Sequence, residues 1–300
     1  MSHGRTLIVI TGPTASGKTA AAIAVAQALH CDIINADSRQ IFRGIPICTA
    51  APTAAEQALV RHHFVEFKDL DQYYSAAQFE SDVMSLLPSM WQQGDYAVMC
   101  GGSMMYIDAV CHGIDLIPDI TPETRQALLD DLDTRGLDSL LAELHQLDPE
   151  YYERVDRCNK RRVVHALEVC RQTGQTYSSL RTGKAKPRDF DIIKVVLDMD
   201  RETLFGRINR RVDAMMEQGL EAEARSVEHL RGLNSLNTVG MKEMFAHFDG
   251  LMDLDTAVAR IKKNTRVYAK KQLTWLARDP NCVHLRADDA ATGILEMLAR

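Results

Sequence analysis

The sequence predicts an α/β fold: a parallel sheet flanked by helices, with an all-α insertion. Three observations predict it. Over residues 6–100, short β-branched runs alternate with helical stretches, the order that a parallel sheet with crossover helices requires. Residues 12–19 fit G-x-x-x-x-G-K-[ST], directly after one such run and at the head of a helical stretch. Between about 114 and 186 the strand signals vanish, and leucines recur at helical spacing.

Each element has its own signal. Residues 6–12 (TLIVITG) read as a buried parallel strand ending in glycine. Residues 18–29 are Ala-rich and read as a helix. Cys31 to Ala36, with Ile33 and Ile34, reads as a second strand. Ser75 is suited to cap a helix running to Trp91. Tyr96 to Cys100 is a third strand, closed by Gly101 and Gly102, and Ile192 to Leu197 a fourth. The insertion carries Leu128, Leu132, Leu137, Leu140, Leu141 and Leu144. It opens near Pro118 and Pro122 and closes in the polar loop from Arg181 to Pro187. A helical pattern from 201 to 278 rejoins the core. The expected organisation is therefore a catalytic core, 1–113 and 187–300, and a helical insertion domain, 114–186.

Composition narrows the class. With 46% hydrophobic and 25% charged residues, the chain is an ordinary globular one. No apolar run approaches the roughly 20 residues of a membrane helix. Met1 to Thr6 is polar and leaves no room for a signal peptide, so a cytoplasmic protein is expected. The seven cysteines form no CxxC pair, and no His pair has zinc-finger spacing. Reduced thiols are expected, with neither disulfides nor structural zinc. A net charge of −6 argues mildly against a nucleic-acid partner, but the charge is uneven. Acids collect in 115–156; Lys and Arg collect at 154–162, 201–211 and 260–271. A patch binds RNA; a net charge does not.

Gly12, Pro13, Thr14, Ala15, Ser16, Gly17, Lys18 and Thr19 form the phosphate cradle, which makes the core P-loop NTPase-like. Glycines let consecutive amides turn toward one anion, and the helix N-terminus adds partial positive charge. Lys18 supplies a full charge, and the Thr19 hydroxyl can hold Mg²⁺. Such a loop says only that a di- or triphosphate binds. Asp37 follows the second strand and so lies on the same rim of the sheet. A carboxylate there can act as general base, metal ligand or simple helix cap.

The run Ala36-Asp37-Ser38-Arg39-Gln40-Ile41-Phe42-Arg43-Gly44 resembles the Asp-Ser-Met-Gln-Val-Tyr-Arg-Gly stretch of the tRNA dimethylallyltransferase (isopentenyltransferase) family, in its bacterial type without a zinc finger. Gly101-Gly102-Ser103-Met104-Met105-Tyr106 resembles Gly-Gly-Thr-Gly-Leu-Tyr. Arg161-Arg162-Val-Val-His165-Ala-Leu-Glu resembles Gln-Arg-Ile-x-Arg-Ala-Leu-Glu. Arg207 to Asp213, Val239 to Glu243, and Arg266 to Trp275 match later motifs in the same order. The resemblance spans roughly residues 6–278. Ser103, Met104, His165 and Met241 depart from it, the last three in regions the family uses around tRNA.

The resemblance implies transfer of a dimethylallyl group from dimethylallyl diphosphate to N6 of a tRNA adenosine beside the anticodon. Gly12 to Thr19 and Arg211 would hold the diphosphate with Mg²⁺, and Asp37 would be the base. Asp37, Ser38, Arg39, Gln40, Ser103, Arg161, Arg162, His165, Lys262, Arg266 and Lys270 would meet the RNA. A monomer suffices. Lys262, Arg266 and Lys270 recur at i, i+4, i+8 and share a helix face, which is either an RNA grip or solvated surface. Arg154, Arg157, Lys160, Arg161 and Arg162 have only Asp156 as counter-charge in their own run. Ile261, Tyr268 and Trp275 read as an apolar core stripe. Rival readings are an adenylate isopentenyltransferase, which needs no RNA grip, a P-loop small-molecule kinase using ATP, and a P-loop RNA-binding module that leaves Asp37 idle.

Overall fold

The computed structural model describes residues 4–299. Met1 to His3, on which the reading of the polar N-terminus partly rests, lie outside the described residues. The chain divides into two compact units: one up to Cys111 and from Arg188 onward, the other His112–Pro187.

The first unit is built on a six-stranded, all-parallel sheet. In chain order its first elements are β1 (Thr6–Thr11), α1 (Lys18–Leu29), β2 (Ile33–Asn35), α2 (Pro46–Thr49), α3 (Ala54–Leu59), β3 (His62–His63), α4 (Ala76–Met90), β4 (Tyr96–Cys100) and α5 (Met104–His112). The second unit holds α6 (Pro122–Leu147), α7 (Pro149–Arg154), α8 (Lys160–Thr173) and α9 (Tyr177–Leu180). The first unit then resumes with β5 (Asp191–Asp198), α10 (Arg201–Glu217), α11 (Leu220–Ser226), α12 (Met241–Phe248), α13 (Leu254–Leu276), β6 (Val283–Arg286) and α14 (Ala290–Leu298).

The strand order is β3-β2-β4-β1-β5-β6. β1 is central because it is apolar on both faces: Leu7, Ile8, Val9 and Ile10 are wholly buried. The small side chains of Ala21, Ala22 and Ala26 let α1 lie close over Ile8, Ile10, Ile33 and Val98. Ala290 and Ile294 of α14 join the same core.

Four strands were expected from the sequence, and the described residues form six. β3 is only His-His, without β-branched or alternating character. It is a strand because Ile33 and Ile34 offer it a ladder and His63 Nε2 bonds Asp32 Oδ2 at 2.8 Å. β6 is a four-residue edge, paired to β5 from Val195↔Val283 to Asp198↔Arg286.

In the second unit, Leu128, Leu140 and Leu144 of α6 meet Val163, Ala166 and Leu167 of α8. Gly136, at φ 77°, breaks α6 into two helical segments. The buried carboxylate of Asp148 accepts from Tyr151 N, Ser178 N and Ser178 Oγ, tying α7 to α9. Glu168, also buried, accepts from the Arg125 side chain and bonds His165 Nδ1.

Candidate active site

Three loops leave the carboxyl ends of β1, β4 and β2, and they continue the sheet's hydrogen bonding beyond the strands. Gly101 N donates to Ile10 O at 3.2 Å, Ala36 N to Cys100 O at 2.8 Å and Ser103 N to Ala36 O at 3.1 Å. Gly101 must be glycine, because a Cβ there would drive into the Ala36 carbonyl.

The first loop is the phosphate cradle. Gly17 caps α1 in the left-handed region at φ 95°, a conformation that favours glycine. Lys18 Nζ lies inside the loop and donates to Gly12 O at 3.1 Å and Pro13 O at 2.8 Å. Burial pulls the Lys18 pKa down to about 8; Arg211 also lowers it, while Cys100 and Asp37 oppose the shift. The Ser16 hydroxyl is buried without a hydrogen-bond partner. An orphaned polar atom inside an anion-shaped loop fits a ligand oxygen that completes it. Thr19 is half-buried in the first turn of α1.

The second loop carries Asp37. Its Oδ1 accepts from Arg39 N at 2.9 Å and Gln40 N at 3.3 Å, so one oxygen does what a cap would do. Among the described residues no hydrogen bond engages Oδ2, and Asp37 lines a cavity of about 390 Å³. Thr14, Ser38, Arg39, Arg211 and Tyr268 line it too. The Arg211 side chain faces this cavity, and burial lowers its pKa while Asp37 opposes. The other wall is apolar: Ile208, Val212, Met215, Leu220 and Ile261. The cavity thus combines two charged groups, Asp37 and Arg211, with an apolar lining, and both charges act on Lys18 of the neighbouring cradle.

The third loop braces the second. Ser38 N donates to Ser103 Oγ at 2.7 Å, and Ser103 Oγ donates to Ser38 Oγ at 3.0 Å. The hydroxyl that Ser103 retains is therefore in use within the chain. So are two other residues expected at the RNA. Arg39 Nη1 donates to Asn234 O and Ser235 O, and Gln40 Nε2 to Thr49 O and Ala50 O.

Several expectations need correction. Met241 is fully buried, so its departure from the family pattern lies in the core, not at a surface that RNA could touch. Tyr268 does not belong to a core stripe: it is 39% exposed and lines the cavity, whereas Ile261 is buried. Trp275 is half-buried and donates from Nε1 to Asp108 Oδ2 at 3.1 Å. Arg154 and Arg157 have counter-charges beyond Asp156, pairing with Glu150 and Glu153 one helical turn earlier. Lys262 is ion-paired with Asp213. Arg161 and Arg162 are exposed at the start of α8, in the second unit.

Gln272 was missed as a functional candidate. It is 3% exposed; its Oε1 accepts from Thr14 N at 2.8 Å and its Nε2 donates to Gly102 O at 2.9 Å. One amide thus joins the phosphate cradle to the loop that braces Asp37. Its one sequence signal is its place in the matched stretch from Arg266 to Trp275; its role comes from the approach of α13 to both loops. Gln272→Leu leaves a donor and an acceptor buried and unpaired, which should cost roughly 1–3 kcal/mol of stability. Urea denaturation measures this; a loss under about 0.5 kcal/mol would mean that water replaces the amide.

Comparison with known proteins agrees with this architecture. Residues 40–279 match the IPP transferase family. The chain is 53% identical over 275 residues to tRNA dimethylallyltransferase 1 of Bacteroides fragilis, covering 92% of this chain and 91% of that protein. It is 49% identical over 293 residues to the tRNA dimethylallyltransferase 1 of Bacteroides thetaiotaomicron, covering 98% and 95%. Among solved structures, a tRNA isopentenylpyrophosphate transferase from Bacillus halodurans superposes with a TM-score of 0.71 at 32% identity, covering 98% of this chain and 96% of that one. A eukaryotic dimethylallyltransferase acting on tRNA gives 0.78 at 26% identity, covering 94% and 74%. A family match over 40–279 and 53% identity across 92% of the chain place this parallel-sheet protein in the IPP transferase family, to which the chain belongs.

Proposed function

We propose that this chain transfers a dimethylallyl group from dimethylallyl diphosphate to N6 of an adenosine adjacent to the anticodon in tRNA. The observation that carries this reading is a cavity lined by Asp37, Arg211 and apolar side chains, with Thr14 of the phosphate cradle in its lining and the cradle's Lys18 within electrostatic reach of both charges. The apolar side chains suit a five-carbon chain, and the cations suit the diphosphate.

In the reaction the allylic carbon–oxygen bond breaks and a carbon–nitrogen bond forms to N6. The bonding electrons leave with diphosphate. Negative charge grows on the departing oxygen, and the Lys18 ammonium, now held on Gly12 O and Pro13 O, is the cation that would turn to it. The attacking amine is weak because its lone pair is delocalised into the ring. It becomes acidic as the bond forms, and Asp37 accepts the proton. The Thr19 hydroxyl, an oxygen donor in the first turn of α1, would hold Mg²⁺. Bound there with the diphosphate, it would neutralise charge on the leaving group. The adenine must leave its stack to reach Asp37, which is cheapest in a single-stranded anticodon loop.

A monomer suffices for this reading. Among the described residues no helix is long and apolar enough to cross a membrane. We place the activity in the cytoplasm, with tRNA. The test offers purified protein, Mg²⁺ and labelled dimethylallyl diphosphate to unmodified tRNA, to AMP and to no acceptor. Label on tRNA alone is expected. Label on AMP would move the chain to free-nucleotide prenylation. Label on neither, with turnover of ATP, would make it a kinase.

A further inference from the structure

α10 and α13 run antiparallel along one seam, and the charge along it is graded. At one end Lys262 is ion-paired with Asp213. One turn on, Arg266 Nη1 donates to the neutral Asn209 Oδ1 at 2.6 Å. At the far end, among the described residues, no carboxylate is ion-paired with the cations. Three cations gather instead on one ring: Arg201 at 5.2 Å from the Phe205 centroid, Lys270 at 5.7 Å and Arg266 at 6.0 Å. The spacing explains the arrangement. Arg201, Phe205, Asn209 and Asp213 recur every four residues on α10 and share a face, as Lys262, Arg266 and Lys270 do on α13.

Among the described residues no carboxylate pairs with Arg201, Arg266 or Lys270. Of the two acids flanking Arg201, Asp200 is engaged as the cap of α10, accepting from Thr203 N at 2.8 Å, and Glu202 is exposed on the first turn. The ring's negative face holds each cation modestly and neutralises none of them. Three like charges on one spot repel one another and are relieved by an external anion. Arg201 and Lys270 are exposed and can reach one. The patch is also near the chemistry: Ala15 of the phosphate cradle packs on the same small cluster as Leu204, Phe205, Ile208 and Ala269.

We infer that Arg201, Arg266 and Lys270, gathered on Phe205, form the phosphate-backbone grip of this unit, and that the Lys262 end of the seam does not. This rests on the RNA reading above and says which part of a basic helix face serves it. The partner is RNA phosphate: uncompensated cations recognise charge, and their place beside the cradle lets one strand touch the patch while its base enters the cavity. Phe205 is the scaffold that keeps the cations together; it need not touch RNA.

The experiment measures binding of an unmodified anticodon stem-loop RNA against salt for the wild-type protein, the Arg201→Gln/Lys270→Gln double variant and Lys262→Gln. Both side chains of the double variant are exposed, so the fold should persist; thermal unfolding checks this. The double variant is expected to flatten the slope of log K against log salt by about 1.5, from roughly 0.7–0.9 per lost phosphate contact. Lys262→Gln should shift the slope by less than half of one contact. Phe205→Leu, which disperses the cations without removing charge, should weaken binding less than the double variant does. An unchanged slope in the double variant overturns the patch, as does an equal flattening by Lys262→Gln. In either case transfer to tRNA by the wild-type protein leaves the proposed reaction standing. A wild-type protein that binds no RNA overturns both.

Discussion

Asp37→Asn is expected to lower the rate of transfer about 10²–10⁴-fold, the usual worth of a positioned base. Asparagine is the informative replacement because it keeps an oxygen for Arg39 N and Gln40 N. The turn that Oδ1 holds together therefore survives, and only proton acceptance is lost. Asp37→Ala removes both and should be no more active. Affinity for tRNA should stay within about tenfold of wild type in Asp37→Asn, since the grip lies elsewhere. Single-turnover rates with saturating donor make the measurement. Turnover at the wild-type rate would reduce Asp37 to a loop-capping residue and send the search for a base back to the cavity wall.

Lys18→Met is expected to reduce kcat/KM for the diphosphate donor by about 10²–10³, the loss typical of one preorganised donor to a developing negative charge. A pH dependence goes with it. Burial holds the folded-state pKa near 8, below the 10.5 of an unperturbed lysine. In the free protein Lys18 therefore loses its charge as pH rises through about 8, and KM for the donor should climb above that pH. In Lys18→Met the climb should vanish. The sign for stability is the opposite. The folded state releases this proton before the unfolded state does. The cost of burying the charged amine is thus borne in full below pH 8 and relieved between 8 and 10.5. A donor KM that is flat from pH 7 to 9.5 in the wild-type protein would show that Lys18 stays charged throughout.

Much of this was legible in one sequence because its signals are local. The cradle announces itself through the spacing of Gly12, Gly17, Lys18 and Thr19, and glycine is needed where the backbone turns left-handed. β1, β2 and β4 are buried along most of their length, so they read as apolar runs without reference to their neighbours, as Val195 to Leu197 of β5 do. The α6 leucines that build the second unit's core follow a helical period. Asp37 could be placed on the cradle's rim because a parallel sheet puts the ends of its strands on one side.

Other features were decided only by the chain meeting itself. His62 and His63 have no strand character and pair because Ile33 and Ile34 stand beside them. Tyr268 has the seven-residue spacing of a core residue, yet it lines the cavity. Gln272 is an ordinary polar side chain until the loops after β1 and β4 bring Thr14 N and Gly102 O to its two ends. Lys262, Arg266 and Lys270 are equivalent by spacing. They become different when α10 lays Asp213 beside one, Asn209 beside the next and a bare aromatic ring beside the last two. Periodicity determines which face a side chain takes on its own element, whereas its charge balance depends on whichever group the opposing element presents, and only the folded chain supplies that group.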